Sequence, residues 1–446
     1  MKLFLHGSLV LFLSVCLPTW AQDNAPYATY SGRETVNDLY HLYWHAMGEG
    51  LVQVATDANA LTTLTADPND DWHFVQWEGL SDANNPLTVA LDEDLEITAV
   101  FCHELWDVNQ LDTPIGFAAP EIDEPNTTGG LGGEVVVVTT GAEFNDLMKS
   151  RKDSRFNKDY PPVIVVIDGL LTFPEDELID VKETYNLSIL GRDAHAGFAG
   201  VGLNIYKSHN VIVRNLTFWD CPDDAISIDD PKSHHIWIDH CTFTDAPDVD
   251  PGGKRHDGLV DIKGGSNYIT VSWNIFTNHS KTCLLGHSNN NGAEDIGRLK
   301  VTYHHNWFDN TRQRHPRVRF GQCHVFNNLF DSRKDGMDLY AIASTEEADV
   351  VVEGNMFWKV PHPTYAGYES SGPGDLLEFD NIYIHCGTPE IRGDAFDPRN
   401  TYNYTPDAAI DVPWLVMTYA GAGIVEAIPA EPNEIAPVGG RAYPRL

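Results

Sequence analysis

Between Val211 and Phe357 the chain writes one pattern six times. Each unit is an apolar strand-like run, a polar bend, and a short apolar stretch closed by Phe. The units are Val211–Phe218, Ile236–Phe243, Ile269–Phe276, Val301–Phe308, His324–Phe330 and Val350–Phe357. Their closing Phe residues are 25, 33, 32, 22 and 27 positions apart, and Asn274, Asn306, Asn328 and Asn355 each stand two residues before one. Strand, bend and strand at a spacing in the twenties predict a solenoid: one short unit cannot bury its own apolar face, and stacked copies can. Stacked Asn would bond to one another along the bend, and stacked Phe would fill the inside. A β-sandwich would need a hairpin turn between successive strands, whereas these units are parallel copies. The expected fold is all-β, a right-handed parallel β-helix over residues 129–446, with loops of unequal length leaving the coils on one face.

A different pattern precedes it. Leu61–Ala66 and Trp72–Trp77 alternate around an Asp67–Asp71 turn, and Asn84-Asn-Pro86 marks a turn before Leu87–Leu91 and Ile97–Phe101. Over roughly Gly48 to Phe101 these strings resemble the small bacterial module related to internalin B-repeats. The resemblance implies a β-rich accessory module, here residues 22–102, with no chemistry of its own. Residues 103–128, rich in Pro, Asp and Glu, read as a linker. Residues 1–21 read as a secretory signal peptide: Lys2, an apolar run from Leu9 to Leu17, then Thr19-Trp20-Ala21 as a cleavage site. Its apolar core is too short for a membrane span, and no other segment is apolar enough. A secreted product, extracellular or periplasmic, is expected. Six of the seven cysteines remain after cleavage, and disulfides and buried free thiols are both open for them.

The formal net charge is −36, which excludes nucleic acid as a partner, because phosphate contacts need a basic surface. Its distribution says more. Gln22 to Gly130 carries 20 acidic residues against one basic residue, while Asp250 to Tyr340 carries 12 basic against 9 acidic. An electropositive island therefore sits in an acidic protein, suited to a bound polyanion.

Within the island, Asp257-Gly-Leu-Val-Asp261, Lys281 and Arg314-His-Pro-Arg-Val-Arg319 read as one site. Asp257 and Asp261, with Asp224 one coil earlier, offer an all-oxygen set, which suits Ca²⁺ better than Zn²⁺. Several strings then resemble family 1 polysaccharide lyases: Trp237-Ile-Asp-His240, Asp257–Lys263, Leu284-Leu-Gly-His-Ser288, Val301–Asn306 and Arg314–Arg319. The likeness runs from about Gly129 to Ala422, and the acidic set points within that family to a pectate lyase. It implies Ca²⁺ on Asp224, Asp257 and Asp261, a uronate carboxylate gripped by Lys281, and Arg314 as the base at C5. It implies for Arg319 either a second carboxylate or support of the base. Pro222 stands where some relatives carry a further acid. The substrate implied is polygalacturonate, cleaved by Ca²⁺-dependent β-elimination to 4,5-unsaturated oligogalacturonides by a monomeric enzyme. Arg as a base runs against the rule that guanidinium keeps its proton.

Blander roles are expected for neighbouring groups: His304 and His305 in packing or hydrogen bonding, Trp237 and His240 as fixtures of the coil, and Lys263 as a local charge partner. Arg317 reads equally as an extension of the substrate site and as solvated. The competing readings are a metal-independent pectin lyase on methyl-esterified polymer, a non-catalytic polysaccharide-binding solenoid, and a β-helix hydrolase. The first lacks the acidic set, the second leaves Lys281, Arg314 and Arg319 without a purpose, and the third needs paired carboxylic acids instead.

Overall fold

The computed structural model describes residues 31–425, except 37–39, 48–49, 58–60, 70–71, 79–83, 92, 104–111, 120–126, 153–160, 174–177, 246–255 and 335. The expected signal peptide, 1–21, lies outside the described residues. The chain divides at Glu104/Leu105 into two compact units. Among the described residues no helix is long and apolar enough to cross a membrane.

The first unit is β-rich. Its described strands form a four-stranded sheet in the order Ser31–Val36, Tyr40–Met47, Leu95–His103, Trp72–Glu78, and a three-stranded antiparallel sheet of Gly50–Thr56, Leu61–Pro68 and Leu87–Ala90. Alternation does the sorting. Thr62, Leu64 and Ala66 point inward while their neighbours face out, and Leu64 packs with Leu42, Trp77, Ile97 and Phe101. At the Asn84–Pro86 turn, Trp77 Nε1 donates to the Asn84 carbonyl at 3.0 Å, and the Asn85 amide pairs with the Ala66 backbone at 2.7 and 2.9 Å.

The second unit is a parallel solenoid. Its described strands make three parallel sheets of ten, nine and eight strands, each coil contributing about one strand to each. Inside, rings of successive coils stack from Phe198 through Phe218, Phe243, Phe276, Phe308, Phe330 and Phe357 to Tyr383, with centroids 4.4 to 5.3 Å apart. At the bend the amides form the expected ladder: Asn274 donates to Asn306 at 3.0 Å, Asn306 to Asn328 at 2.9 Å, Asn328 to Asn355 at 3.0 Å, and Asn355 to Asn381 at 2.9 Å. Each amide oxygen also accepts the backbone N–H of the preceding rung, so a buried bend leaves few polar groups unmet. A capped helix, Gly141–Arg151, lays Phe144 against Phe198 near the first coils.

Part of the expected linker is not free chain. Within 103–128, Phe117 is fully buried against Tyr402, and the Phe117 and Ala118 amides donate to Thr302 Oγ1 at 3.1 Å and Thr270 Oγ1 at 3.0 Å. The apolar string Ile115-Gly-Phe-Ala-Ala119 was hidden by its acidic, Pro-containing surroundings. Gly116 is required there: its φ is +94°, and a Cβ would lie 2.5 Å from Thr302. Cys221, Cys241, Cys283, Cys323 and Cys386 are free thiols, four of them buried, which decides the open question for those five. His304 stacks on Phe326 and His305 on Trp273 at 4.1 Å, while Trp237 Nε1 donates to Ser272 and His240 pairs with Asp239. These four are packing and hydrogen-bonding groups.

Candidate active site

The eight-stranded sheet gathers the chemistry. Asp224, Asp257, Lys281 and Arg314 each stand two or three residues before one of its consecutive strands, Ile226–Asp229, Val260–Ile262, Cys283–Leu285 and Arg317–Arg319. They therefore fall in one column, one residue per coil. Parallel pairing holds the register: Asp261 pairs with Ser227 and Leu284, Leu284 with Arg317, and Lys281 bridges Gln313. Within the strands, Val260, Ile262 and Val318 turn inward to the core, which sends Asp261, Arg317 and Arg319 to the outer face.

Carboxylates cluster at the upper end of the column. Asp223, Asp224 and Asp257 bring ligand oxygens within 4.8 Å of one another. Asp261 is not in that trio but lies against it. Asp261 Oδ1 and Asp224 Oδ1 stand 2.5 and 2.8 Å from the point where a Cβ on Gly258 would sit. Each oxygen is fixed by a backbone donor: Gly258 N to Asp224 Oδ1 at 3.1 Å and Leu284 N to Asp261 Oδ1 at 3.1 Å. Asp224 and Asp261 are 4% and 6% exposed. Burial pushes the Asp261 carboxyl well above the usual carboxylate range, and Asp224 beside it adds to the shift. Burial also raises Asp224, with Asp223 and Asp257 adding to it and Lys263, whose Nζ is 3.5 Å away, opposing it. Asp257 goes the other way, held low chiefly by the hydrogen bond from Lys281 Nζ at 2.8 Å. Buried acids with raised affinity for protons, each already tied to a backbone donor, fit a hard divalent cation.

The basic half is framed by other groups. Arg314 has φ +67°, in the left-handed region where a non-Gly residue costs about 1–2 kcal/mol. Its carbonyl is pinned there by Thr282 Oγ1 at 2.5 Å and Cys283 N at 2.7 Å. Its Nε is buried without a hydrogen-bond partner. Arg319, 9% exposed, donates to Asn289 Oδ1 and the Gly286 carbonyl, both at 2.8 Å. Burial, followed by the charges of Arg317 and Arg314, pushes Arg319 down to about 10. Arg317 is buried as well: it donates to Ser371 Oγ at 2.7 Å and to the Tyr368 carbonyl, over whose ring its guanidinium lies. A solvated Arg317 is thereby corrected.

All six residues expected at the site, Asp224, Asp257, Asp261, Lys281, Arg314 and Arg319, thus lie in one neighbourhood. Asp223 was legible as half of an Asp-Asp pair but had not been read as a ligand. Asn289 and Ser371, which bond to each other at 2.8 Å and hold the arginines, carried no sequence signal.

The comparisons with known proteins identify the family. The family model described as pectate lyase matches residues 116–365. A pectate trisaccharide-lyase from Thermotoga maritima is 37% identical over 346 residues, covering 70% of this chain and 89% of that protein. A pectate trisaccharide-lyase from Bacillus licheniformis is 33% identical, covering 69% and 86%. Among solved structures, a pectate lyase from Bacillus sp. N165 in complex with trigalacturonate superposes with a TM-score of 0.59 at 30% identity, covering 70% of this chain and 99% of that one. A β-helix with this site on its eight-stranded sheet and these relatives leads to one conclusion: the chain belongs to the pectate lyase family.

Proposed function

We propose that this enzyme cleaves de-esterified α-1,4-polygalacturonate by Ca²⁺-dependent β-elimination, as an exported monomer, with Arg314 as the base. The observation that carries the reading is the column itself: an acidic cluster, then Lys281, then Arg314, one per coil. Asp224, Asp257 and Asp261 would hold the ion, and Asp223 stands where it can join them. Bound there, a divalent cation supplies positive charge to a uronate carboxylate and so acidifies the neighbouring C5 hydrogen.

The chain's own residues do the rest. Lys281 Nζ donates to Asp257 Oδ1 at 2.8 Å, and it turns to the uronate carboxylate once Asp257 takes up a ligand role. Arg314, held by its pinned backbone, first gives up a proton to solvent and then, as a neutral guanidine, takes the C5 proton. The C4–O4 bond breaks, its electron pair leaves on O4, which is then protonated by water, and a C4=C5 double bond remains. Arg319 has two of its donor nitrogens bonded to Asn289 and Gly286, which favours support of Arg314 over a grip on a second carboxylate. The first unit is read as an internalin B-repeat-like accessory module, supported by its strands over Leu61–Pro68, Trp72–Glu78, Leu87–Ala90 and Leu95–His103.

The test is an absorbance assay for the conjugated double bond on polygalacturonate, with chelator and with added Ca²⁺. Activity should vanish with chelator and return with Ca²⁺. Arg314→Lys should lower kcat by about 10²-fold or more with KM little changed. Full activity after exhaustive chelation, or saturated product ends, would refute the mechanism. N-terminal sequencing of culture supernatant should give a mature chain beginning at Gln22.

A further inference from the structure

We propose that Asp220, Asp245 and His256 form a second metal site, separate from the acidic column, for a divalent transition ion such as Zn²⁺. These residues meet at the corner where the nine-stranded sheet turns toward the eight-stranded one. Thr217–Trp219 and Thr242–Thr244 pair in register, so Asp220 and Asp245, the next residue of each, occupy the same corner of adjacent coils. In the following coils that corner carries Asn278 and Asn310, whose amides bond to each other at 2.8 Å. Two carboxylates cannot bond to each other in that way.

His256 enters between them. One ligand atom from each of Asp220, Asp245 and His256 lies within 4.8 Å of the others. His256 Nδ1 is 3.1 Å from Asp245 Oδ2, and Nε2 is 3.6 Å from Asp220 Oδ1. An imidazolium donating to both acids would explain the closeness, but the geometry is wrong for it. The 3.6 Å separation is too long for a hydrogen bond, and His256 Nδ1 and Asp220 Oδ1 are both buried without a hydrogen-bond partner. His256 itself is 4% exposed. A single ion takes one ring nitrogen, and Nδ1, buried, unpartnered and 3.1 Å from Asp245 Oδ2, is the one placed to share an ion with that carboxylate. His256 Nδ1 and Asp220 Oδ1 are thus the buried polar atoms left for an ion to satisfy.

His279 completes the site from outside. Its Nδ1 accepts the Lys281 N–H at 3.1 Å, so its hydrogen is on Nε2, which faces Asp245 Oδ2 at 3.2 Å. That tautomer makes His279 an orienting donor to a ligating carboxylate and not itself a ligand. One imidazole with two carboxylates suits zinc, and the imidazole makes the set poorer for Ca²⁺. Because His256 precedes Asp257 and His279 lies two residues before Lys281, an ion here would fix the chain on both sides of the Asp257–Lys281 pair.

The full chain is stripped with chelator, loaded with excess Ca²⁺ to fill the acidic column, and titrated with Zn²⁺ by calorimetry. Co²⁺ is used in parallel for its visible absorption. One equivalent of Zn²⁺ should bind in the wild type and in Asp224→Asn. Affinity should fall at least about 10-fold in His256→Gln and in Asp220→Asn. No uptake over the calcium-loaded background overturns the proposal, as does uptake that both variants leave unchanged. If His256→Gln fails to fold by circular dichroism, Asp220→Asn decides alone, since its side chain is 24% exposed and the less disruptive change.

Discussion

Gly258→Ala is the sharpest probe of the acidic column. Its φ is not in the left-handed region, so an alanine there meets no backbone penalty, only its neighbours. Those neighbours are Asp261 Oδ1 at 2.5 Å and Asp224 Oδ1 at 2.8 Å from the added Cβ. Restoring ordinary contact requires each oxygen to retreat by roughly 0.5–1 Å. Metal ligands tolerate about 0.2 Å, so the shift spoils two ligands at once and strains their backbone donors, Leu284 N and Gly258 N. Disturbed ligation of this kind costs about 10- to 100-fold in metal affinity, or roughly 1.4–2.7 kcal/mol. The assay is a calcium titration of lyase rate beside calorimetric Ca²⁺ binding. The half-saturating Ca²⁺ concentration should rise by that factor, and the rate at saturation should recover most of the wild-type value. Gly372→Ala, whose Cβ would meet Glu346 no closer than 3.8 Å, is the control and should change nothing. An unaltered calcium response in Gly258→Ala would show that Asp224 and Asp261 do not share an ion.

Two further outcomes test the scaffold and its charge. Asn306→Ala removes the acceptor of the Asn274 N–H and of one Asn274 Nδ2 hydrogen, and the Nδ2 donor to the Val271 carbonyl, so these three buried hydrogen bonds are lost, although Asn274 Nδ2 keeps its bond to the Ile238 carbonyl. At about 1–3 kcal/mol each, with partial relaxation, the loss should be roughly 3–6 kcal/mol by urea unfolding, and a loss under about 1 kcal/mol would refute the ladder's role. The second concerns pH. Asp224 and Asp261 have folded-state pKa values raised above 3.8, so the native state binds their protons more tightly than the unfolded chain does. Without metal their contribution is unfavourable above the folded pKa values and disappears as pH falls below the unfolded value. Bound Ca²⁺ offsets that repulsion where the acids are ionised. The gap in Tm between calcium-loaded and chelated protein should therefore widen as pH rises from about 4 to 7, and a gap that is flat or narrows contradicts the assignment.

What the chain revealed in advance follows from which interactions repeat. The Phe stack and the Asn ladder recur once per coil, so their spacing alone carried the solenoid, and only the end rungs escaped, Phe198 at one end and Asn381 and Tyr383 at the other, because no full unit closing in Phe marked them. The column of Asp224, Asp257, Lys281 and Arg314 was readable through the strings that resemble family 1 polysaccharide lyases, and in the structure each residue falls just ahead of a strand in its own coil. Coil stacking turns that sequence offset into proximity. Nothing comparable announces the groups that hold the arginines. Asn289 reaches Arg319 from the loop after Cys283–Leu285, and Ser371 reaches Arg317 from two coils further on. Loops obey no period, so contacts between them leave no trace in residue spacing. The same reasoning explains Phe117, whose partner Tyr402 lies far along the chain in another irregular segment. In a solenoid the periodic part says where the catalytic column stands, and the aperiodic part decides how rigidly its arginines are aimed. Under the proposed mechanism the reactivity of Arg314 depends on residues the repeat does not specify, and variation at Asn289 or Ser371 should alter rate while the fold and the acidic cluster persist.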